Sequence, residues 1–268
     1  MSSAVATASR TPAQAHPDSS AAKALALLDA FAGRRALLGV TELAEAVDVP
    51  KPTAHRLLGV MIAQGFVRKE GTRYCLTERV FELASRAGAA SLRSSGLRAR
   101  TMPYMAELFV RTRETVHLAT LAGTDVLYLE KIFGHYGPRC STAVGGRKPA
   151  YATALGKAML AHSADDVLAA NMDAPFRAFT PTTIRTPARL ESAIDRVRDD
   201  GFATDYCETQ ADLNCVAVPI RNPQTGLAIA AISLCSVRAT NLEQRFKYLL
   251  IDTARDISVS LWPSPARI

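Results

Sequence analysis

The sequence predicts an α+β protein in two parts, and three observations carry that prediction. Apolar residues recur at helical spacing from Ala21 to Ile62 and are followed by two short strands around a glycine. A small, polar stretch, Gly88–Ser95, then breaks the composition. Beyond it, strands with period-two alternation mix with amphipathic helices, the order expected of an α+β domain. The resulting division is a disordered tail over 1–20, a helical unit with a hairpin over 21–76, a linker helix and hinge over 77–95, and a larger domain over 96–262.

Residues 1–20 are Ala, Ser, Thr and Pro with almost no bulky apolar groups, too little to offset chain entropy. Ser19 or Ser20 caps a helix over Ala21–Ala32, with Leu25, Leu27, Leu28 and Phe31 as its stripe. Thr41 caps a second helix, Thr41–Val47, and Asp48-Val49-Pro50 turns the chain. A third helix begins near Pro52, where proline costs no hydrogen bond. It buries Ala54, Leu57, Leu58, Met61 and Ile62 and stops at Gly65. Phe66–Arg68 and Arg73–Leu76 form a hairpin with Gly71 at its tip. A helix from Thr77 follows, with Val80, Leu83, Ala84 and Ala87 apolar at helical spacing.

In the larger domain, Leu97–Arg113 reads as a helix, and Thr115–Leu121 with Val126–Ile132 as strands joined at Ala122-Gly123-Thr124. A Gly/Pro-rich loop, Gly134–Pro149, precedes a helix over Ala154–Ala161. Pro187–Asp200 is amphipathic, with Leu190, Ile194 and Val197 inward. Asn214–Ile220 and Leu227–Val237 pair antiparallel across Asn222–Gly226, and a last helix spans Asn241–Leu261.

The 268 residues carry 48% hydrophobic and 21% charged side chains, the composition of a folded rather than a disordered chain. No run of about 18 apolar residues offers a membrane span. No basic start with an apolar core marks secretion. The five cysteines, Cys75, Cys140, Cys207, Cys215 and Cys235, are odd in number and form no CxxC pair. That argues against a disulfide framework and a structural zinc site and fits a reducing cytoplasm. No cofactor or metal is expected.

A net charge of +7 suits a polyanionic partner, but from Ala21 to Ala87 there are only 10 Lys/Arg against 7 Asp/Glu. Placement says more: Pro50–Arg73 holds Lys51, Arg56, Arg68, Lys69 and Arg73 against Glu70 alone. Helix, turn, helix and wing in that order form a winged helix-turn-helix, whose second helix reads the major groove of double-stranded DNA. Outside the apolar stripe stand Lys51, Thr53, His55 and Arg56. Arginine forks onto guanine, threonine reaches a base edge or phosphate, and Lys51 at the helix start suits a phosphate. Arg68, Lys69 and Arg73 line the wing. A dimer would match a pseudo-palindromic operator.

The stretch GVTELAEAVDVPKPTAHRLLGVMIAQGFV resembles the DNA-binding domain of the IclR family of transcription regulators. KPAYATALGKAMLA and GFATDYCETQADLNCVAVPI are similar to that family's effector-domain signatures, and the likeness runs from about Ala21 to Trp262. The resemblance implies a winged helix-turn-helix joined by a linker helix to a GAF-like α/β effector-binding domain, in a homodimer or homotetramer. Pro52 stands where the family usually has serine.

Polar groups beside apolar strands mark a small-molecule site in the second domain. Asp205 ends a strand, Cys215 opens another, and Ser233 and Cys235 alternate onto one face of a third. Ala154 and Leu155 sit at a helix start, where backbone N–H groups favour an anion such as a carboxylate. The resemblance carries the family's effector pocket onto these same six positions and implies a small carboxylic acid effector. In that likeness Cys235 replaces a usual serine, Asp212 a frequent glycine, and Tyr151 a frequent histidine. Tyr151, placed near the pocket mouth, favours an aromatic acid.

Two readings compete. Cys215 with His117 or His162, oriented by Asp205, would make a catalytic Cys–His pair, but no local signature marks a nucleophile, and the chain is read as non-enzymatic. A cysteine-based redox regulator would signal through Cys207 with Cys215 or Cys235. The arginines Arg93, Arg98, Arg100, Arg111 and Arg113 near the linker could contact DNA phosphates or acidic surfaces of a second subunit, with a solvated helix face the commoner explanation.

Overall fold

The computed structural model describes residues 19–32, 37–90, 95–133, 140, 142–237 and 241–263, with the backbone alone for 85–90 and 95. The tail over 1–18 and the tip of the Gly/Pro-rich loop lie outside them. The chain divides into two units, the first ending at Ala90 and the second starting at Ser91. Among the described residues no helix is long and apolar enough to cross a membrane.

The first unit opens with helix α1 (Ser20–Ala30), capped by Ser19 Oγ accepting from the Ala22 N–H at 3.1 Å. Strand β1 (Leu38–Gly39) then runs straight into α2 (Val40–Ala46). Thr41 is therefore not the cap. The chain leaves the strand at Gly39, whose N–H donates to Glu42 Oε2 at 2.7 Å. Helix α3 (Lys51–Ala63) buries Ala54, Leu57, Leu58 and Met61 against α1 and α2. Ile62, expected on that side, is 38% exposed, because one further residue turns the side chain about 100° past Met61. Gly65 takes a positive φ of 75°, which lets Phe66 N–H reach back to the Met61 carbonyl at 2.9 Å and end the helix.

Strands β2 (Val67–Glu70) and β3 (Arg73–Leu76) form the wing around Gly71 at φ 61°, and β1 pairs on the other side of β3. Helix α4 (Glu78–Ala90) follows. Its stripe is not filled from within its own unit: Leu83 is 56% exposed and Ala84 is exposed, while Ala87's side chain lies outside the described residues.

In the second unit, α5 (Ser95–Thr112) leads into β4 (Thr115–Ala122) and β5 (Asp125–Ile132). Strand β6 (Arg147–Pro149) comes from the stretch read as loop, and a 3-10 turn (Ala150–Ala152) follows it. Helices α6 (Ala154–Leu160), α7 (Asp165–Met172) and α8 (Pro187–Asp200) follow, then β7 (Ala203–Tyr206), β8 (Asn214–Arg221), β9 (Ala228–Ser236) and α9 (Leu242–Leu261). Thr186 and Gly201, with φ 81°, bound α8 as cap and left-handed stop.

The strands make one antiparallel sheet in the order β6-β5-β4-β9-β8-β7. Period-two alternation sorts its two faces. Val116, Leu118, Val216, Val218, Ile232 and Leu234 pack under α5 and α9. Val126, Tyr128, Cys215, Ala217, Ala231 and Cys235 face α6 and α8. Removing one such leucine from water is worth roughly 1.5–3 kcal/mol, so each face is a substantial core. The polar residues of interest all lie on the α6 side.

Candidate nucleic-acid interface and ligand cavity

On α3, Lys51, His55 and Arg56 are exposed and Thr53 is half-buried. Helical spacing puts Pro52, Arg56 and Gly59 opposite the buried stripe of Ala54, Leu57, Leu58 and Met61, with His55 beside them. Thr53 lies nearer the core edge. Gly59 was not singled out on this outer face because it carries no hydrogen-bonding side chain; its exposure is the sign. The short residue at Gly59 leaves room for a close approach.

The wing basics differ among themselves. Arg68 Nε pairs with Glu70 Oε1 at 2.8 Å and its Nη1 lies 3.5 Å from Glu78. Arg73 Nη1 donates to the Leu37 carbonyl at 3.1 Å and lies 3.7 Å from Glu42. Lys69 sits 5.8 Å over the Tyr74 ring. Arg56 makes an exposed bond of 3.3 Å to Ser20 Oγ. Exposed pairs of this kind are worth about 0–1 kcal/mol, so a phosphate can displace them.

In the second unit, all six strands of the sheet and a helix start contribute to one narrow cavity, partly open to solvent. Ala154, Leu155, Asp205, Cys215, Ser233 and Cys235 all line it. Sheet register explains the gathering: Asp205, Cys215 and Cys235 are successive cross-strand partners in one row, and Ser233 pairs with His117 in the next. Ala154 and Leu155 open α6, whose first N–H groups have no acceptor within the helix. Thr153 Oγ1 takes the Gly156 N–H at 2.9 Å.

Tyr151 does not belong to the lining. Its ring packs on Phe176 at 4.8 Å, and its hydroxyl accepts the Arg177 N–H at 2.7 Å and donates to the Arg177 carbonyl at 2.8 Å. Both hydroxyl bonds go to the Arg177 backbone, so the side chain ties down that segment.

The cavity also takes in residues that the sequence did not single out for it, among them Tyr128, Cys140, Thr142, Lys148, Thr209 and Gln210. They come from β5, the loop after it, the edge strand β6 and the β7–β8 loop, and only the fold brings them together. Lys148 supplies a half-buried cation, and β6 itself was the missing signal.

The β7–β8 loop is held from outside. Thr180 Oγ1 donates to the Cys207 carbonyl at 2.6 Å, and Thr183 Oγ1 to the Glu208 carbonyl at 2.6 Å. Glu208 then gives its N–H to Asp205 Oδ1 at 2.7 Å, and its carboxylate takes Lys157 Nζ at 2.5 Å, both side chains buried. Asp212 sits in the left-handed region at φ 65°, where the family's glycine would be free of strain.

Burial lifts Asp205 to about 7 against the pull of Lys157, so its carboxyl is half protonated near neutral pH. His117 Nδ1 lies 3.5 Å from Cys235 Sγ, and its Nε2 lies 2.8 Å from Thr142 Oγ1. Burial opposes charge on His117, but Cys235 and Cys140 outweigh it and raise the imidazole to about 9. The hydrogen bond from Cys215 holds Cys235 well below the ordinary thiol range, with His117 assisting, and Cys215 is driven up in return. The imidazole thus meets Cys235, not Cys215, and His162 is not in the lining. Among the described residues no group of three or more His, Cys, Asp or Glu side chains could hold a metal ion.

Residues 20–71 match the family model of the IclR helix-turn-helix domain, and residues 89–259 that of the bacterial transcriptional regulator IclR C-terminal domain. The chain is 33% identical over 255 residues to the HTH-type transcriptional regulator KdgR of Escherichia coli, covering 91% of this chain and 94% of that protein. It is 30% identical over 254 residues to the Pca regulon regulatory protein of Pseudomonas putida, covering 91% and 84%. An IclR homolog from Microbacterium hydrocarbonoxydans, solved with 4-hydroxybenzoate, superimposes with a TM-score of 0.83 at 27% identity, over 92% of this chain and all of that one. With a helix-turn-helix unit, an effector domain and both family models matched along its length, the chain belongs to the IclR family of ligand-responsive bacterial transcription regulators.

Proposed function

We propose that the cavity of the second unit binds a small carboxylic acid, with a single-ring aromatic acid favoured, and that its occupancy sets operator affinity. The observation that carries this reading is the convergence of Ala154, Leu155, Asp205, Cys215, Ser233 and Cys235 on one cavity that also holds Lys148. Lysine and free N–H groups suit a carboxylate, and Asp205, protonated in part near neutral pH, can donate to it where a full charge would repel. Tyr128 offers an aromatic wall. Support for the aromatic class now rests on the 4-hydroxybenzoate-bound Microbacterium homolog rather than on Tyr151.

On the DNA side, Arg56 and His55 read bases from the outer face of α3, while Lys51, Thr53, Arg68, Lys69 and Arg73 fix the register on phosphates. The reading assigns DNA binding to 21–76, a linker to 77–95 and effector binding to 96–262, in a homodimer or homotetramer on a pseudo-palindromic site. The acid shifts operator affinity only by preferring one form of the protein over the other. A thermal-shift panel of organic acids including 4-hydroxybenzoate tests it. A ligand at about 100 times its Kd contributes about 2.7 kcal/mol, a clear rise in Tm. Asp205→Ala and Ser233→Ala should abolish the rise and leave operator binding intact. A panel with no shift, or shifts unchanged in both variants, overturns the reading.

A further inference from the structure

We propose that Cys235 and Cys215 are an oxidisable thiol pair in the cavity wall, closed to a disulfide by a hydroperoxide small enough to enter. The two residues are direct cross-strand partners on β9 and β8, and both side chains line the cavity. Directly opposed residues of antiparallel strands have Cα atoms about 4.5–5.5 Å apart. A disulfide needs about 4.4–6.8 Å, so the bond forms without moving the backbone. Their β-carbons leave the same face of the sheet, with both thiols packed in one core.

The neighbours divide the labour. His117 Nδ1, 3.5 Å from Cys235 Sγ, takes the proton of that thiol and leaves Cys235 as the nucleophile. Cys235 thiolate attacks one peroxide oxygen, forming an S–O bond and breaking the O–O bond. The departing hydroxide or alkoxide takes the proton from His117 and leaves as water or alcohol. Cys215 then attacks the sulfenic sulfur, the S–S bond forms, and a second water carries away the Cys215 proton and the hydroxyl. Two thiols are oxidised and one hydroperoxide is reduced. The directions of the two thiols agree with these roles, Cys235 lowered and Cys215 raised.

The other thiols are placed differently. Cys75 is in the first unit, and Cys207 Sγ donates to Asn214 Oδ1 at 3.8 Å outside the lining. Cys140 shares the cavity and its thiol too is lowered by His117 against burial, but it is bonded to Thr142 Oγ1 at 3.1 Å and has no strand register with Cys215 or Cys235. Oxidation would draw Cys235 away from His117 and reshape the wall that meets the ligand. That last consequence rests on the carboxylate reading; the disulfide does not.

The test treats the reduced full-length protein with hydrogen peroxide and maps peptides by mass spectrometry. The expected product is a Cys215–Cys235 crosslink lacking two hydrogens, reversed by dithiothreitol. Cys215→Ser should accumulate a dimedone-reactive sulfenic acid at Cys235. Cys235→Ser should leave Cys215 reduced, Cys207→Ser should change nothing, and His117→Asn should slow the reaction several-fold. Oxidation of Cys207 or Cys75 with Cys215 and Cys235 still reduced overturns the proposal, as does a link from Cys235 to Cys140. The wild-type map is decisive even where a variant folds poorly. The same organic-acid thermal-shift panel, run before and after oxidation, reads the coupling separately: a crosslink with no shift from any acid refutes the carboxylate reading and leaves the thiol pair standing.

Discussion

Gly156→Ala should loosen the second unit and disable its cavity together. A β-carbon at Gly156 would lie 2.1 Å from the Ala150 carbonyl oxygen, 2.4 Å from its Cα and 2.5 Å from its carbonyl carbon. Ordinary contact begins at 3.4 Å, so α6 and the 3-10 turn must part by about 1.3 Å. No side chain can swing away, because every clashing atom is backbone. Ala150, Ala154, Leu155, Ala158 and Met159 are all buried, so the strain has nowhere to relax. Alanine gains about 0.8–1 kcal/mol of helix propensity over glycine. Overpacking of a tight core costs about 1–3 kcal/mol and occasionally more. A 2.1 Å approach to backbone puts the cost at or above the top of that range, so the clash wins with a net loss of about 2 kcal/mol and, at about 2–4 °C per kcal/mol for a domain of this size, a Tm lower by roughly 4–8 °C. Displacing the first turn of α6 also moves Ala154 and Leu155, and ligand affinity should fall at least about tenfold, or 1.4 kcal/mol. Thermal unfolding and calorimetric titration measure both. A variant with wild-type Tm and wild-type affinity would refute the close approach of α6 to Ala150.

Three other outcomes are expected. Asp205 holds its proton in the folded state up to about 7 and loses it near 3.8 when unfolded, so stability from this group is fully present below 3.8 and lost as pH rises through 7. The loss approaches roughly 4 kcal/mol at 1.36 kcal/mol per unit; denaturant melts at pH 5 and 8 should show a fall that Asp205→Asn flattens, and parallel slopes in the two proteins would count against it. Arg56→Ala should weaken binding to an operator selected from random DNA by about 1–3 kcal/mol and relax its sequence preference, whereas Lys69→Ala should weaken all DNA alike, both read by anisotropy. Asp212→Gly should stabilise the second unit by up to about 1 kcal/mol by removing a side chain from φ 65°, and a lower Tm would show that the aspartate is held there by something stronger than strain.

Local signals were legible and non-local ones were not. The strand pair β8–β9 and the helix Pro187–Asp200 followed from alternation, amphipathic spacing, Thr186 and Gly201, all short-range features. Helix α7 escaped because DDVLAANM has no clear apolar face. Strand β1 escaped because two residues carry no periodicity, and with it went the true start of α2. In the cavity, Asp205, Cys215, Ser233 and Cys235 were readable from their strands. Lys148, Tyr128 and Thr209 were not, since nothing in their own segments says that β6, β5 and the β7–β8 loop meet. Tyr151 is the reverse case: it stands next to the motif in sequence, yet it lies outside the cavity lining with its hydroxyl bonded to Arg177.

The place of β9 between β4 and β8 bears on how the molecule comes together. Thr115 pairs with Cys235 across most of the second unit's length, so the sheet closes only through contacts of long sequence separation. Such pairings are slow to form, because loop closure must precede any reward. The first unit closes over shorter spans, its sheet joining Leu38 to Tyr74. During synthesis its residues are all available long before Ser233 and Cys235, the last wall of the cavity, have been made. A ligand therefore has nothing to bind while the early steps of folding proceed. It should leave the folding rate unchanged and slow unfolding instead, acting as a latch on a finished sheet.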